Sequence, residues 1–322
     1  MEYDVTLMYV IEILCGLALL VLGGHWLINS TGRLAIALRV PTLVISLVLI
    51  AYGTSSPEIA VSLSAALRGA NEIVIGNVVG SNIINIALIL GLGAIITPLK
   101  AHIQLLKREA PLMLLVTLLM VVALFDRELS RIEGIIALAA GLGYTVFLIV
   151  SALKERKTKY ADPEQVVGRS TGRWRKHALL AAVSLAAMIY GADMFVKGAI
   201  VLSERIGASP LVIGLTVVAI GTSLPELVTT VFAAVKKQED IAISNVIGSN
   251  IFNVLIVLGL TAVIAPVKLG DGADSLWIDL GVMVIVTIAF VALIRFGQNR
   301  ITRVSGIVFV SGYIIYMCYL LL

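Results

Sequence analysis

Apolar residues run through this chain in long stretches, broken at intervals by short polar or charged groups. A helix needs roughly 20 apolar residues to cross hydrocarbon. On that length the 322 residues divide into ten spans, at about 7–29, 42–67, 72–96, 108–125, 132–153, 177–202, 210–235, 240–264, 276–294 and 303–321. The pattern predicts an all-α, polytopic membrane protein. The charged stretch 154–176 parts the spans into two sets of five. This predicts a first five-helix repeat over 1–153, a cytoplasmic linker over 154–176 and a second five-helix repeat over 177–322.

The polar interruptions inside two of these stretches are copies of one another. Ala51-Tyr52-Gly53-Thr54-Ser55-Ser56-Pro57-Glu58 returns as Ala219-Ile220-Gly221-Thr222-Ser223-Leu224-Pro225-Glu226. Gly76-Asn77-Val78-Val79-Gly80-Ser81-Asn82-Ile83-Ile84-Asn85 returns as Ser244-Asn245-Val246-Ile247-Gly248-Ser249-Asn250-Ile251-Phe252-Asn253. Aligned without a gap, residues 43–98 and 211–266 agree at 27 of 56 positions. Shared apolar residues carry little weight in so greasy a chain, but the shared Gly-Thr-Ser-x-Pro-Glu and Gly-Ser-Asn-x-x-Asn do. An odd number of spans per copy inserts the second copy upside down, the inverted-repeat plan of many secondary transporters.

Each copy sets a glutamate, hydroxyls and amides at membrane depth, where an ionisable group is by default a functional hypothesis. A structural kink with polar glue between helices explains a proline or a serine. It does not explain two glutamates at matching places. Pro57 lacks an N–H and strips the Gly53 carbonyl of its helical partner, so the helix is expected to break near Gly53. That exposes carbonyls from Ala51 to Thr54, with those of Ala219 and its neighbours as the second set. Thr54, Ser55, Thr222 and Ser223 add hydroxyls, while Glu58 and Glu226 fall in the first turn of a resuming half-helix, whose dipole favours their charge. Ser81 and Asn85 share a helix face, as do Ser249 and Asn253, and Gly80 and Gly248 allow close packing. Every ligand is an oxygen, which disfavours zinc, copper and iron. Ca²⁺, which takes about 6–8 oxygens in irregular geometry, and Na⁺ fit better than Mg²⁺.

Composition agrees. The chain is 59% hydrophobic and 14% charged, with a mean hydropathy of +1.04, so its net charge of +4 is no nucleic-acid signal. Counting Arg108 and Arg303 at the edges of their spans, the loops after spans 1, 3, 5, 7 and 9 hold 18 Lys and Arg, against 5 in the other loops. The positive-inside rule then places both termini outside and the linker in the cytoplasm; the expected location is the plasma membrane. The acidic start, Glu2 and Asp4, predicts no cleaved signal peptide. The linker is too short for a folded domain, and its basic run (Lys154, Arg156, Lys157, Lys159) reads as an anchor. Asp193 and Lys197, spaced i,i+4 in span 6, are expected to neutralise each other outside the site. Cys15 and Cys318 read as small core residues, Trp26, Trp174 and Trp277 as interface anchors, and His25, His102 and His177 show no ligand spacing. Ser244, where the first copy has Gly76, reads as packing variation. No cofactor and no obligatory protein partner are called for.

The paired motifs resemble the two α-repeats of the sodium/calcium exchanger family, within the calcium/cation antiporters, and the resemblance spans nearly the whole chain. It implies Na⁺-driven Ca²⁺ transport by alternating access, with Na⁺ and Ca²⁺ as cargo in a lipid bilayer and no enzymatic activity. It implies central ligands at Glu58, Asn85, Glu226 and Asn253. Flanking ligands would be Ala51, Thr54, Ser55, Ser81, Ala219, Thr222, Ser223 and Ser249. Spans 1 and 6 would slide across an eight-helix core. Many relatives carry Asp where Asn253 stands, which leaves two carboxylates here and argues against K⁺ co-transport. Two other readings compete. A proton/Ca²⁺ antiporter on the same fold would use a buried Glu to carry H⁺. An intramembrane hydrolase would pair Glu58 with Glu226 as acid and base, but it gives no reason to duplicate the hydroxyls and amides.

Overall fold

The computed structural model describes residues 2–37, 51–101, 105–159, 174–237, 239–270, 275–297 and 299–321. Helices dominate, as the apolar runs require: in hydrocarbon, backbone polar groups must be satisfied within the segment. In chain order these are α1 (Glu2–Ala37), α2 (Ala51–Thr54), α3 (Ser56–Leu67) and α4 (Asn71–Ile96), then α5 (Ala110–Ala123) and α6 (Arg131–Lys159). The second half gives α7 (Trp174–Ile206), α8 (Pro210–Thr222), α9 (Leu224–Val235), α10 (Glu239–Phe252, continuing to Ile264), α11 (Leu276–Phe296) and α12 (Arg303–Leu321). Seven helices among the described residues are long and apolar enough to cross a membrane, and α8 with α9 makes an eighth span, bent by 48°. Of the other two expected spans, 42–67 is helical over 51–67 apart from a break at Ser55. Its start lies outside the described residues, and 108–125 is carried by α5 and a π-helical turn before it, Leu105–Glu109. The linker's middle, 160–173, and His102 also lie outside them, while α6 and α7 run several residues into the linker from either side.

The two halves repeat in space as they do in sequence. α2–α3–α4 matches α8–α9–α10, and even the left-handed turn after each half-helix recurs, at Gly69 (φ 74) and Lys237 (φ 57). Two short ribbons stitch the halves together. Leu99–Lys100 (β1) pairs antiparallel with Arg300–Ile301 (β4), and Glu128–Leu129 (β2) with Val267–Lys268 (β3). Beside each ribbon, equivalent side chains reach across. Asn71 Nδ2 donates to the Lys268 carbonyl at 2.9 Å, and Glu239 Oε2 accepts from the Lys100 N–H at 2.8 Å.

Burial divides the helices into core and periphery. α4 and the span Ile241–Ile264 of α10 are 78% and 72% buried, against 28% and 35% for the spans in α1 and α7. α1 and α7 run antiparallel against each other through a stripe of small residues. A Cβ on Gly16 would meet the Gly191 carbonyl at 2.6 Å, and one on Gly198 would meet Ile13 at 2.6 Å. Such close backbone approach is how helices associate where no hydrophobic force separates helix from lipid. The opposite faces of this pair, with Leu14 and Leu179 among the most exposed apolar side chains, point away from the bundle.

Three expectations are corrected. Asp193 and Lys197 do not pair with each other. Arg68, at the end of α3, donates to Asp193, with Nε at 3.1 Å, and Lys197 pairs with Glu12 of α1 at 3.8 Å. The i,i+4 spacing makes contact possible, but neighbouring helices offer both side chains better-placed partners. Cys15 and Cys318 are exposed on the outer surface of the bundle rather than in its core; a small apolar residue is equally at home facing lipid. The helix break lies at Ser55 and Ser223, two residues beyond Gly53 and Gly221, because Pro57 and Pro225 sit at the second position of the resuming helix. Asp193 should therefore show a coupling of a few tenths to about 1 kcal/mol with Arg68 in a double-mutant cycle (Asp193→Asn, Arg68→Gln). The cycle with Lys197→Gln should give none; thermal unfolding in detergent reads both.

Candidate ion-binding site

The break residues Ser55 and Ser223 adopt the same conformation, φ −84 with ψ 8 and 7. That places each serine hydroxyl over the glutamate of the opposite repeat. Ser55 Oγ donates to Glu226 Oε1 at 3.2 Å, and Ser223 Oγ donates to Glu58 Oε1 at 3.3 Å. Ser249 Oγ adds a second bond to Glu226 Oε1 at 3.3 Å, and Thr54 a further one to the same carboxylate. Ser81 reaches Thr222 at 3.5 Å, the outer limit of a hydrogen bond. Both glutamates, Thr54, Thr222, Ser81, Ser249, Asn85 and Asn253 are completely buried. The structure thus gathers the predicted hydroxyls, carboxylates and amides into one cluster.

The main-chain candidates fare differently. Ala51 opens α2. The Ala219 carbonyl accepts the Ser223 N–H at 3.1 Å and lies 3.4 Å from Thr222 Oγ1. It is not orphaned by the break, and only its second lone pair remains for a ligand.

Four asparagines to which the sequence reading gave no role prove to frame the cluster. Asn77 Nδ2 donates to Ser62 Oγ at 2.9 Å and approaches the Glu58 carbonyl at 3.4 Å. Asn245 Nδ2 does the same to Thr230 Oγ1 at 3.1 Å and to the Glu226 carbonyl at 3.4 Å. Each pins the half-helix that carries its glutamate. Asn82 and Asn250 act on the amides. Asn253 Nδ2 donates to Asn82 Oδ1 at 3.1 Å, and Asn85 Nδ2 donates to Asn250 Oδ1 at 2.9 Å. With their NH₂ groups held this way, Asn85 and Asn253 turn their oxygens the other way. The signal was in the sequence: these asparagines also recur 168 residues apart.

One feature left no such trace. α4 and α10 each pass through a π-helical turn, Ile84–Leu90 and Asn253–Leu258, at the very residues that carry Asn85 and Asn253. Single π turns inside α-helices gather at functional sites. Close packing around Gly80 is borne out, since a Cβ there would meet Ala219 Cβ and the Leu215 carbonyl, both at 2.7 Å. A Cβ on Gly76 would strike Gly214 Cα at 2.8 Å, whereas Ser244, its counterpart, is half-buried and has room to bond the Ile241 carbonyl at 3.3 Å.

Among the buried side-chain atoms with no partner are Glu58 Oε2, Glu226 Oε2, Asn85 Oδ1 and Asn253 Oδ1. Buried polar groups are normally satisfied, and four bare acceptors in one cluster mark a place for a cation. Among the described residues no three His, Cys, Asp or Glu side chains gather as a metal site. The donors are hence two carboxylates with neutral amide and hydroxyl oxygens, a hard set suited to Na⁺ or Ca²⁺ rather than to softer metals. Asn82→Ala frees the Asn253 amide to rotate. The Ca²⁺ concentration for half-maximal thermal stabilisation should rise about tenfold, the scale of one unsatisfied buried group. Asn250→Ala should match it, and an unchanged midpoint in both would contradict the positioning role.

Known proteins carry the same plan. The profile of the sodium/calcium exchanger protein family matches residues 8–150 and 176–322. The sodium/calcium exchanger MaX1 of Methanosarcina acetivorans is 35% identical over 339 aligned residues, covering 95% of this chain and 96% of its own. The putative antiporter CaxA of Alkalimonas amylolytica is 36% identical, covering 95% and 96%. The solved structure of the sodium–calcium exchanger NCX_Mj superposes with a TM-score of 0.67 at 30% identity, over 97% of this chain and 99% of that one. With its two matched repeats, a broken helix in each and paired central motifs, this chain belongs to the sodium/calcium exchanger protein family.

Proposed function

We propose that this protein exchanges Na⁺ for Ca²⁺ across the plasma membrane by alternating access, extruding Ca²⁺ on the energy of Na⁺ entry and without K⁺. The observation that carries the reading is the set of four bare buried oxygens on Glu58, Glu226, Asn85 and Asn253. They come in symmetric pairs, one carboxylate and one amide from each repeat. Thr54, Ser55, Ser81, Thr222, Ser223 and Ser249 complete the ligand set, with the carbonyls of Ala51 and Ala219. A pair of carboxylates balances one Ca²⁺ or two Na⁺, so the two cargoes compete for the same negative charge.

Alternating access asks for a fixed site and a moving gate. The deeply buried α4 and α10 suit the first role. The pair of α1 and α7, lightly buried as α6, α11 and α12 are but set apart by close glycine contacts with each other, suits the second. The proposed orientation puts both termini outside and 154–176 in the cytoplasm, and gives five spans to each of 1–153 and 177–322. The ribbons support the span plan, whichever side faces out: β1–β4 joins the loops after spans 3 and 9, and β2–β3 those after spans 4 and 8. The ten-span plan puts each of these loop pairs on one side.

Two measurements test the reading. In proteoliposomes under an imposed Na⁺ gradient, Glu58→Gln or Glu226→Gln should abolish ⁴⁵Ca²⁺ uptake while the protein still folds, because a neutral amide is cheaper to bury than a charge. Near-normal flux in either variant sinks the site. Flux that follows a pH gradient in place of the Na⁺ gradient hands the function to proton exchange.

The second measurement is electrical. If three Na⁺ exchange for one Ca²⁺, the Na⁺-loaded site carries an excess positive charge that Asn253, unlike an Asp, cannot offset. One net charge then crosses per cycle, and the potential should bias transport by about 2.3 kcal/mol per 100 mV. An inside-negative clamp set with valinomycin and K⁺ should speed Na⁺ entry and Ca²⁺ exit. Insensitivity to the clamp would mean two Na⁺ per Ca²⁺.

A further inference from the structure

Among the described residues outside the central cluster, one carboxylate is as deeply buried as the two glutamates. Asp279 lies in the first turn of α11 with no exposed surface. Its Oδ1 accepts a hydrogen bond from Tyr316 of α12 at 2.7 Å, and its Oδ2 has no partner. Tyr313, one turn away on the same face of α12, also has a buried hydroxyl without a partner. Glu109, another buried acid, is a different case: Arg108 pairs with it at 2.7 Å and Tyr144 donates to it. Among the described residues no basic side chain pairs with Asp279.

A purely structural Asp–Tyr contact accounts for one carboxylate oxygen and leaves the other bare. A carboxylate in a dry bundle without an opposite charge is among the most costly arrangements a membrane protein can hold. The place of Asp279 is also telling. It shares one buried stripe of α11 with Met283 and Thr287. The Thr287 hydroxyl is spent on the Met283 carbonyl at 2.7 Å, and Met283 Sδ lies 3.9 Å from Asn82 Nδ2. Asn82 in turn holds Asn253. Asp279 thus lies one turn of α11 from Met283, whose sulfur meets the asparagine that holds Asn253.

We propose that Asp279, Tyr316 and Tyr313 form a second cation site, separate from the Glu58–Glu226 centre, for a hard monovalent ion of the Na⁺ class. One carboxylate balances one positive charge. The three side chains offer four oxygens, short of the roughly 6–8 that Ca²⁺ takes, and all four are hard donors.

The test uses the full-length protein in detergent, with its melting temperature followed against NaCl and against choline chloride at constant ionic strength. The background variant is Glu58→Gln/Glu226→Gln, which removes both carboxylates of the central site. A Na⁺-specific rise in melting temperature should persist there. Its midpoint should move up at least about tenfold, the loss of one good ionic ligand, or the rise should vanish, when Asp279→Asn is added. Tyr313→Phe leaves the Asp279–Tyr316 bond in place and should move the midpoint in the same direction; it decides the matter if the triple variant does not fold. A background variant that responds alike to Na⁺ and choline overturns the proposal, as does Na⁺ stabilisation untouched by Asp279→Asn or Tyr313→Phe. Failure here leaves the central site standing, because that site is judged by Ca²⁺ flux in the wild-type protein.

Discussion

Two carboxylates, Glu58 and Glu226, stand at the centre of an apolar bundle, and among the described residues no basic side chain pairs with either. Most of the architecture can be derived from that constraint. Hydrocarbon forbids loose polar backbone except where protein encloses it or a wet cavity meets it, so each break in the helix is kept to a single residue and buried. Hydroxyls donated across the repeats soften each negative charge but leave one oxygen bare per carboxylate. Complete satisfaction would make a stable core with no use for an ion. Complete absence of partners would make a core that does not fold.

The crossed pairing also explains why the motif is duplicated. Ser55 serves Glu226 and Ser223 serves Glu58, so neither repeat can build a site alone. The amides follow the same logic, with Asn250 holding Asn85 and Asn82 holding Asn253. Inverting one copy brings the two breaks face to face at the same depth, and the ribbons β1–β4 and β2–β3 fix that register from the two ends. The site is a property of the interface, which is where inverted-repeat transporters place their cargo.

Much of this was legible in the sequence because its causes are local and composition-driven. Span lengths follow from bilayer thickness. The break follows from proline chemistry, to within two residues. The candidate site residues follow from their duplication in a setting where polar groups are expensive. What could not be read was tertiary. Nothing in the spacing of Asp193 and Lys197 tells that Arg68 and Glu12 are nearer. Nothing in Cys15 or Cys318 separates a core face from a lipid face, since both are apolar. The π turns at Asn85 and Asn253 arise from packing around the site, and a one-residue change in helical register has no compositional signature.

The places where the two repeats differ carry as much meaning as the places where they agree. Arg68 and Asp193 tie the end of α3 to α7. The equivalent positions, 168 residues away, are Lys236 and His25, which cannot form an ion pair; His25 instead meets Asn29 at 2.8 Å. Likewise Asn77 Oδ1 accepts from Thr222 at 3.0 Å, whereas Asn245 Oδ1 has no partner. An inverted repeat with identical halves would hold its two access states at equal energy. If α1 and α7 form the gate proposed above, one of its ends has an ionic clasp and the equivalent Lys236 and His25 supply none, which would make the two states unequal. Such a bias need only be small: an exposed pair of this kind is worth at most about 1 kcal/mol, enough to shift a two-state balance severalfold without locking it. A transporter has to keep both states within reach, and a weak, solvent-accessible clasp at one end meets that requirement where a buried one would not.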